Sequence, residues 1–201
     1  MEHFYSNGKL LISGEYAVLD GAHSLALPTK FGQSLEVSVL DVPVLIWESF
    51  SCDNEIWFQA EVQLPKLHEL SSEPKLATLQ KILIAAQVLN PDFLKDGKGA
   101  FVQTFLTFPN EWGLGTSSTL INNIANWANV DAFVLLKNSF GGSGYDIACA
   151  QKNTPIVYKI KESEPVVEPV LFNSEFLDNI YFVYLNQKQD SKEGIQLYRN
   201  T

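Results

Sequence analysis

The hydrophobic period of this chain changes abruptly at Glu73, and that switch narrows the folds open to it. Before it, apolar residues alternate. Leu35, Val37 and Val39 share one face of the stretch 31–40, with Glu36 and Ser38 on the other, as in a half-buried strand. Strands are also expected at 44–47 and 56–62, paired as an antiparallel hairpin through the polar Ser51-Cys52-Asp53-Asn54. From Glu73 onward, Leu76, Leu79, Ile82, Leu83, Ala86 and Leu89 recur at steps of three and four, which predicts an amphipathic helix. Asn90-Pro91 stops it. Later segments mix the two periods. A strand at 100–108 ends at Pro109, and a helix follows at 116–129. A shorter helix is capped by Asp131. Strands are expected at 155–160, 166–172 and 180–185, and a last helix at 192–198. Mixing without regular βαβ alternation gives the class α+β. The acidic, proline-bearing stretch 161–169 reads as a linker.

Composition excludes several functions. With 201 residues, 46% of them hydrophobic, the chain can build one sizeable core, or a core plus a small second unit. A net charge of −9, with no Lys/Arg run, repels nucleic acid phosphates. A nucleotide would therefore have to be held by backbone dipoles, a few placed cations and a metal ion. Cys52 and Cys149 are the only cysteines, too few for a disulfide framework, and read as apolar fillers in a reduced compartment. His3, His23 and His68 lack metal-ligand spacing. Neither a signal peptide nor a membrane-spanning run stands out. The expectation is a soluble, cytoplasmic protein acting on a small molecule, with no nucleic acid or membrane partner.

Three segments carry chemistry. In Pro109-Asn110-Glu111-Trp112-Gly113-Leu114-Gly115-Thr116-Ser117-Ser118, a strand, a glycine turn and a helix follow in order. Gly113 and Gly115 admit backbone angles closed to other residues and leave room for a phosphate. The helix start offers free N–H groups and the positive end of its dipole. Thr116, Ser117 and Ser118 add hydroxyls. The loop is not a Walker P-loop, because no Gly-Lys-Ser/Thr follows. An ordinary glycine turn with a helix cap would look the same. The second segment, Gly142-Ser143-Gly144-Tyr145-Asp146, sets a carboxylate at a helix start, where Asp is commonly just an N-cap. A kinase acting on an alcohol, however, needs a carboxylate near the acceptor hydroxyl and a cation near the phosphoryl group. Lys9, between Gly8 and an apolar strand run, could be that cation.

Ser6-Asn7-Gly8-Lys9-Leu10-Leu11-Ile12-Ser13-Gly14-Glu15-Tyr16-Ala17-Val18-Leu19-Asp20-Gly21 resembles the first motif of the GHMP kinases, particularly mevalonate and phosphomevalonate kinases. Residues 109–118 resemble their second motif, and 142–148 the segment carrying the catalytic aspartate. The three occur in family order. The resemblance implies a GHMP N-terminal domain (ribosomal protein S5 domain 2-like) over 1–172, then the start of a ferredoxin-like C-terminal domain over 173–201. It implies ATP and Mg²⁺ as cofactors. Asp146 would take the acceptor's proton, paired with Lys9 as the second catalytic residue. Gly113, Leu114, Gly115, Thr116, Ser117 and Ser118 would cradle phosphates, and Ser117 would bind Mg²⁺. Glu15, Tyr16, Ser143 and Gly144 would lie at the acceptor.

Two features depart from the family. Mevalonate kinases hold Mg²⁺ with a glutamate upstream of the aspartate, but Phe133-Val134-Leu135-Leu136-Lys137 contains no acid, leaving Ser117 with phosphate and water, or a substitute such as Asp131. The family's third, glycine-rich motif has no counterpart after Gly144, so most of a second domain is expected to be missing. The alternatives are a catalytically incomplete fragment, a non-catalytic nucleotide- or metabolite-binding module, or a relative of mevalonate diphosphate decarboxylase.

Overall fold

Strand β1 (Glu2–Leu11) runs antiparallel to the long β2 (Ser24–Leu40), and this pair organises the molecule. The computed structural model describes residues 1–95, 97–171, 179, 181–185 and 191–200. Strands β3 (Val44–Phe50), β4 (Ile56–Gln63), β5 (Gly99–Leu106), β6 (Ile156–Lys161) and β7 (Glu164–Pro169) complete a seven-stranded sheet. Its order is β4-β3-β5-β2-β6-β7, with β1 also paired to β2. All neighbours are antiparallel except β3 and β5, which are joined through β4 and α1 and run parallel. The mixed sheet follows from the irregular strand and helix order.

Helix α1 (Pro74–Leu89) starts where the period changes. The Glu73 carboxylate accepts from the N–H groups of Lys75 and Leu76, and Pro74 stands at the first helical position. Leu79, Ile82, Leu83 and Ala86 are buried. Helices α2 (Thr116–Ala128), α3 (Ala132–Ser139) and α4 (Tyr145–Ala150) follow, and α5 is Ser191–Arg199. The Asp131 carboxylate accepts from Val134 N at 2.9 Å, as the cap reading required. Asn129 ends α2 in the left-handed region at φ 53. One apolar core joins β2, β3 and β5 (Leu35, Leu45, Trp47, Val102) to α1, α2 and α3 (Ile82, Ile124, Leu135).

Several expectations change. Val39, read as facing the core with Leu35 and Val37, is 64% exposed near the end of β2. The supposed linker 161–169 is a hairpin of β6 and β7, in which Lys161 pairs with Glu164 around Glu162 and Ser163 at φ 53 and 69. Two consecutive positive φ values are the signature of a two-residue hairpin turn, normally written with glycine or asparagine. Residues 181–185 form no strand, and the rest of the 180–185 expectation, like the domain boundary at 172/173, lies outside the described residues. Cys149 is buried as expected, whereas Cys52 is partly exposed. Among the described residues, no helix is long and apolar enough to cross a membrane.

Candidate active site

The first chemical segment enters the site through an irregularity in β1. The register against β2 jumps from Asn7 opposite Gly32 to Lys9 opposite Pro28. The Lys9 N–H, released from the ladder, donates to Leu114 O at 2.9 Å, so the glycine loop docks on β1 beside the lysine. Gly8 makes that approach possible. A Cβ there would stand 2.9 Å from the same carbonyl and 2.7 Å from Thr29 Oγ1. Leu114 anchors the loop by burying its side chain with Leu106 and Phe108. It can offer a ligand only its backbone.

Gly113 (φ 72) and Gly115 (φ 91) are both left-handed, and Gly115 is the N-cap of α2. No side chain caps this helix, so its first N–H groups are left for an anion. Thr116 Oγ1 donates to Asn110 Oδ1 at 2.9 Å and braces the loop from within. Ser117 is exposed, whereas Ser118 is buried, with Gly115 O at 3.2 Å and Asp146 Oδ2 at 3.3 Å as acceptors for its hydroxyl. Beneath α2 lies a buried polar network that motif reading missed. Ser6 Oγ donates to Asn123 Oδ1 at 2.7 Å and accepts from Asn122 Nδ2 at 2.9 Å. Asn123 Nδ2 donates to Gln33 O at 2.9 Å, and Thr119 Oγ1 to Gln33 Oε1 at 2.8 Å. These bonds tie α2, the helix that follows the glycine loop, to β1 and β2.

In the second segment Gly144 caps α4 with φ 86, so Asp146 sits in the first helical turn and is not the N-cap. A Cβ on Gly144 would lie 3.1 Å from the Phe133 ring and 3.2 Å from Tyr158 Oη. The Tyr158 hydroxyl donates to Ser143 O and pins the turn. A cleft of about 500 Å³ brings Asp146, Ser117, Ser118, Glu15, Tyr16, Ser143 and Gly144 together. Its apolar walls include Val18, Ile121, Leu136 and Ile195. Gly113, Leu114, Gly115, Thr116 and Lys9 do not line the cleft; Lys9 reaches its edge through Tyr145.

Lys9 and Asp146 do not pair. Among the described residues the ion pair present joins Lys95 to Asp92 at 3.1 Å. Lys9 Nζ instead donates to Tyr145 Oη at 2.9 Å and lies 5.1 Å from the centre of that ring. Burial, followed by the charges of Asp146 and Glu15, pushes the Tyr145 phenol far above its ordinary range. Burial likewise pushes the Cys149 thiol up to about 12, Asp146 adding to the rise and Lys9 opposing it. Tyr158 is pushed up to about 12 by burial and then by Asp146. The hydroxyls and thiol around Asp146 are therefore neutral at physiological pH.

Tyr16 has a rare backbone conformation for a bulky residue, φ 59 and ψ −42. Its ring stacks on Tyr198 at 5.9 Å, and Tyr198 Oη donates to Asp20 Oδ2 at 2.7 Å. Helix α5 comes so close that a Cβ on Gly194 would stand 2.2 Å from Tyr16 Oη. The sequence predicts this helix, but no local pattern links it to the cleft. Among the described residues no group of three or more His, Cys, Asp or Glu could hold a metal. Asp131, the suggested substitute ligand, caps α3 and does not line the cleft.

Neither a protein-family model nor a curated protein matches the sequence. Solved structures do match. L. major mevalonate kinase in complex with R-mevalonate is 20% identical, with a TM-score of 0.59 over 87% of this chain and 53% of that one. Lactococcus lactis galactokinase complexed with galactose is 13% identical, with a TM-score of 0.64 over 86% of this chain and 48% of that one. Streptococcus pneumoniae phosphomevalonate kinase, in complex with phosphomevalonate and AMPPNP, is 20% identical, with a TM-score of 0.57 over 79% and 50%. The chain thus spans about half the length of these proteins. Its fold is that of the GHMP small-molecule kinases.

Proposed function

We propose that this chain carries the phosphoryl-transfer site of an ATP-dependent small-molecule kinase, with mevalonate or phosphomevalonate as the favoured acceptor. The observation that carries the reading is the meeting of Asp146, Ser117 and Ser118 on one cleft, with an uncapped helix start and Lys9 at its edge. Asp146 accepts the proton of the acceptor hydroxyl. Backbone N–H groups of 113–118 hold the ATP phosphates. Lys9 stabilises the charge on the transferring group. Glu15, Tyr16, Ser143 and Gly144 surround the acceptor. Magnesium usually keeps phosphate oxygens and waters as most of its ligands, so the exposed Ser117 hydroxyl beside the phosphates fits it. Bound there, the ion would neutralise phosphate charge. The acceptor assignment is supported by the motif at 6–21 and by mevalonate and phosphomevalonate kinases among the structural neighbours.

A second reading has its own support. The stretch Phe133-Val134-Leu135-Leu136-Lys137 carries no acid where the resemblance implies a metal-holding glutamate, which favours a nucleotide- or metabolite-binding module without turnover. Full-length protein supplied with ATP, Mg²⁺ and mevalonate, phosphomevalonate, homoserine or galactose separates the two. The kinase reading expects ADP release with one of the first two acceptors. It also expects Asp146→Asn to lower the rate about 10²–10⁴-fold. A loss below tenfold would remove Asp146 from its role. Tight ATP binding without turnover on any alcohol would favour the second reading.

A further inference from the structure

We infer that Tyr145 is the positioning residue of Lys9, holding the ammonium off Asp146 and turning both its N–H donors and the phenolic proton toward a terminal phosphoryl group in the cleft. The inference rests on the kinase reading for the identity of that group, but its geometric half stands alone. Tyr145 is 7% exposed, and its ring belongs to the small core beside α4. A phenylalanine would fill that space equally well. What the hydroxyl adds is one contact, the 2.9 Å bond from Lys9 Nζ.

Proton bookkeeping gives that contact a direction. An ammonium can only donate, so Tyr145 Oη accepts from Lys9 and its own proton must point elsewhere. Among the described residues the hydroxyl has no other partner. Tyr145 lines the cleft, and the proton can therefore donate into it. Burial and the surrounding Asp146 and Glu15 charges keep the phenol protonated. The Lys9 stem is fixed as well, because its backbone N–H is bonded to Leu114 O and its Cγ lies 3.3 Å from where a Gly115 Cβ would be. The cation is thereby stretched along the phosphate loop with its head on the phenol. Asp146 Oδ2, free of the lysine, keeps Ser118 Oγ as its neighbour at 3.3 Å. The carboxylate stays available to a substrate hydroxyl, while two positively polarised donors meet where a phosphoryl group would carry negative charge.

The test uses the full chain labelled with ¹³C at lysine Cε, with Lys9 assigned by its loss in Lys9→Met. The aromatic ring beside Nζ should displace the Lys9 Hε signals from those of lysines without such a ring; Lys75, 5.1 Å from the Trp57 ring centre, is left out of that comparison. Tyr145→Phe, which keeps the ring and the volume, should return them toward the common position, with core methyl signals unchanged to show an intact fold. Lys9 signals that are undisplaced in wild type, or equally displaced in Tyr145→Phe, would overturn the positioning role. Calorimetry with a non-hydrolysable ATP analogue and with ADP tests the second half. Tyr145→Phe should lower the preference for the analogue about tenfold, the effect of one charge-assisted hydrogen bond. It should lower it no further in the Lys9→Met background. An unchanged preference, or an equal loss in both backgrounds, would refute the paired donors. Nucleotide failing to bind wild type, with the Lys9 shifts as expected, would defeat the kinase reading and leave Tyr145 as the holder of Lys9.

Discussion

Removing one hydroxyl beneath the glycine loop at 109–118 should destabilise the whole chain. Ser6 and Asn123 are fully buried and Asn122 is 1% exposed. In Ser6→Ala, Asn123 Oδ1 loses the donor now 2.7 Å away, and Asn122 Nδ2 loses the acceptor at 2.9 Å. The other halves of both amides stay satisfied, because Asn123 Nδ2 keeps Gln33 O and Asn122 Oδ1 keeps Gln151 Nε2 at 3.0 Å. The loss is therefore confined to two orphaned groups. Each buried group left unpaired costs about 1–3 kcal/mol, so the pair costs about 2–6 kcal/mol. In a chain of this size about 1 kcal/mol moves Tm by about 2–4 °C, which places the fall at roughly 4–24 °C. Urea unfolding followed by tryptophan fluorescence, with Trp47 in the core and Trp127 edge-on against Phe93 at 4.7 Å among the reporters, measures the free-energy loss. The midpoint should drop with the slope unchanged. Ser34→Ala is the control, a half-buried serine on β2, expected to change stability by less than about 0.5 kcal/mol. If the two variants unfold together, the network does not tie α2 to β1, and the account of how the loop is held fails.

Other outcomes follow from the same structure. Asp131→Ala removes the bond to Val134 N and should cost about 1 kcal/mol in the urea assay; no change would mean that α3 starts without its cap. In the native protein a maleimide should label Cys52, which is partly exposed, and spare the buried Cys149; labelling of both before unfolding would contradict the packing around α4. Alkaline pH should destabilise the fold. The Cys149 thiol rises from 9.0 to about 12 and the Tyr158 phenol from 10.0 to about 12, so both stay neutral in the folded chain where the unfolded chain ionises. Their stabilisation is complete below pH 9 and is lost as pH climbs toward about 12. The urea midpoint should thus fall between pH 8.5 and 10.5, an upper limit about halfway into the Cys149 window and about a quarter into that of Tyr158. A midpoint that rises over that interval would refute the assignment.

The parts of this fold that were legible in the sequence were those written in short-range chemistry. Helix α1 shows in the steps from Leu76 to Leu89 and in the acid and proline at its start. The loop 109–118 shows because glycine angles and helix starts are local properties. The 161–169 hairpin was hidden for the converse reason. Its turn places Glu162 and Ser163 at positive φ, where glycine or asparagine would have announced it. Charge and proline made the strands look like a linker. The site was legible in its members but not in its wiring. Lys9 and Asp146 could each be singled out, yet the residue that holds Lys9 is Tyr145, 136 positions away, and only tertiary packing decides between a carboxylate and a phenol. The Ser6, Asn122, Asn123 and Gln33 network, and the seating of Gly194 on Tyr16, likewise join residues far apart in the chain.

We propose that the loop at 109–118, Lys9 and Asp146 form one phosphoryl-transfer site. A structure of the full chain with a non-hydrolysable ATP analogue and Mg²⁺ tests it most directly. Phosphates are expected against the backbone N–H groups of 113–118, with the terminal phosphate facing Lys9, Tyr145 and Asp146 across the cleft. A nucleotide bound away from the α2 N-terminus, or with its terminal phosphate turned away from Asp146, would contradict it.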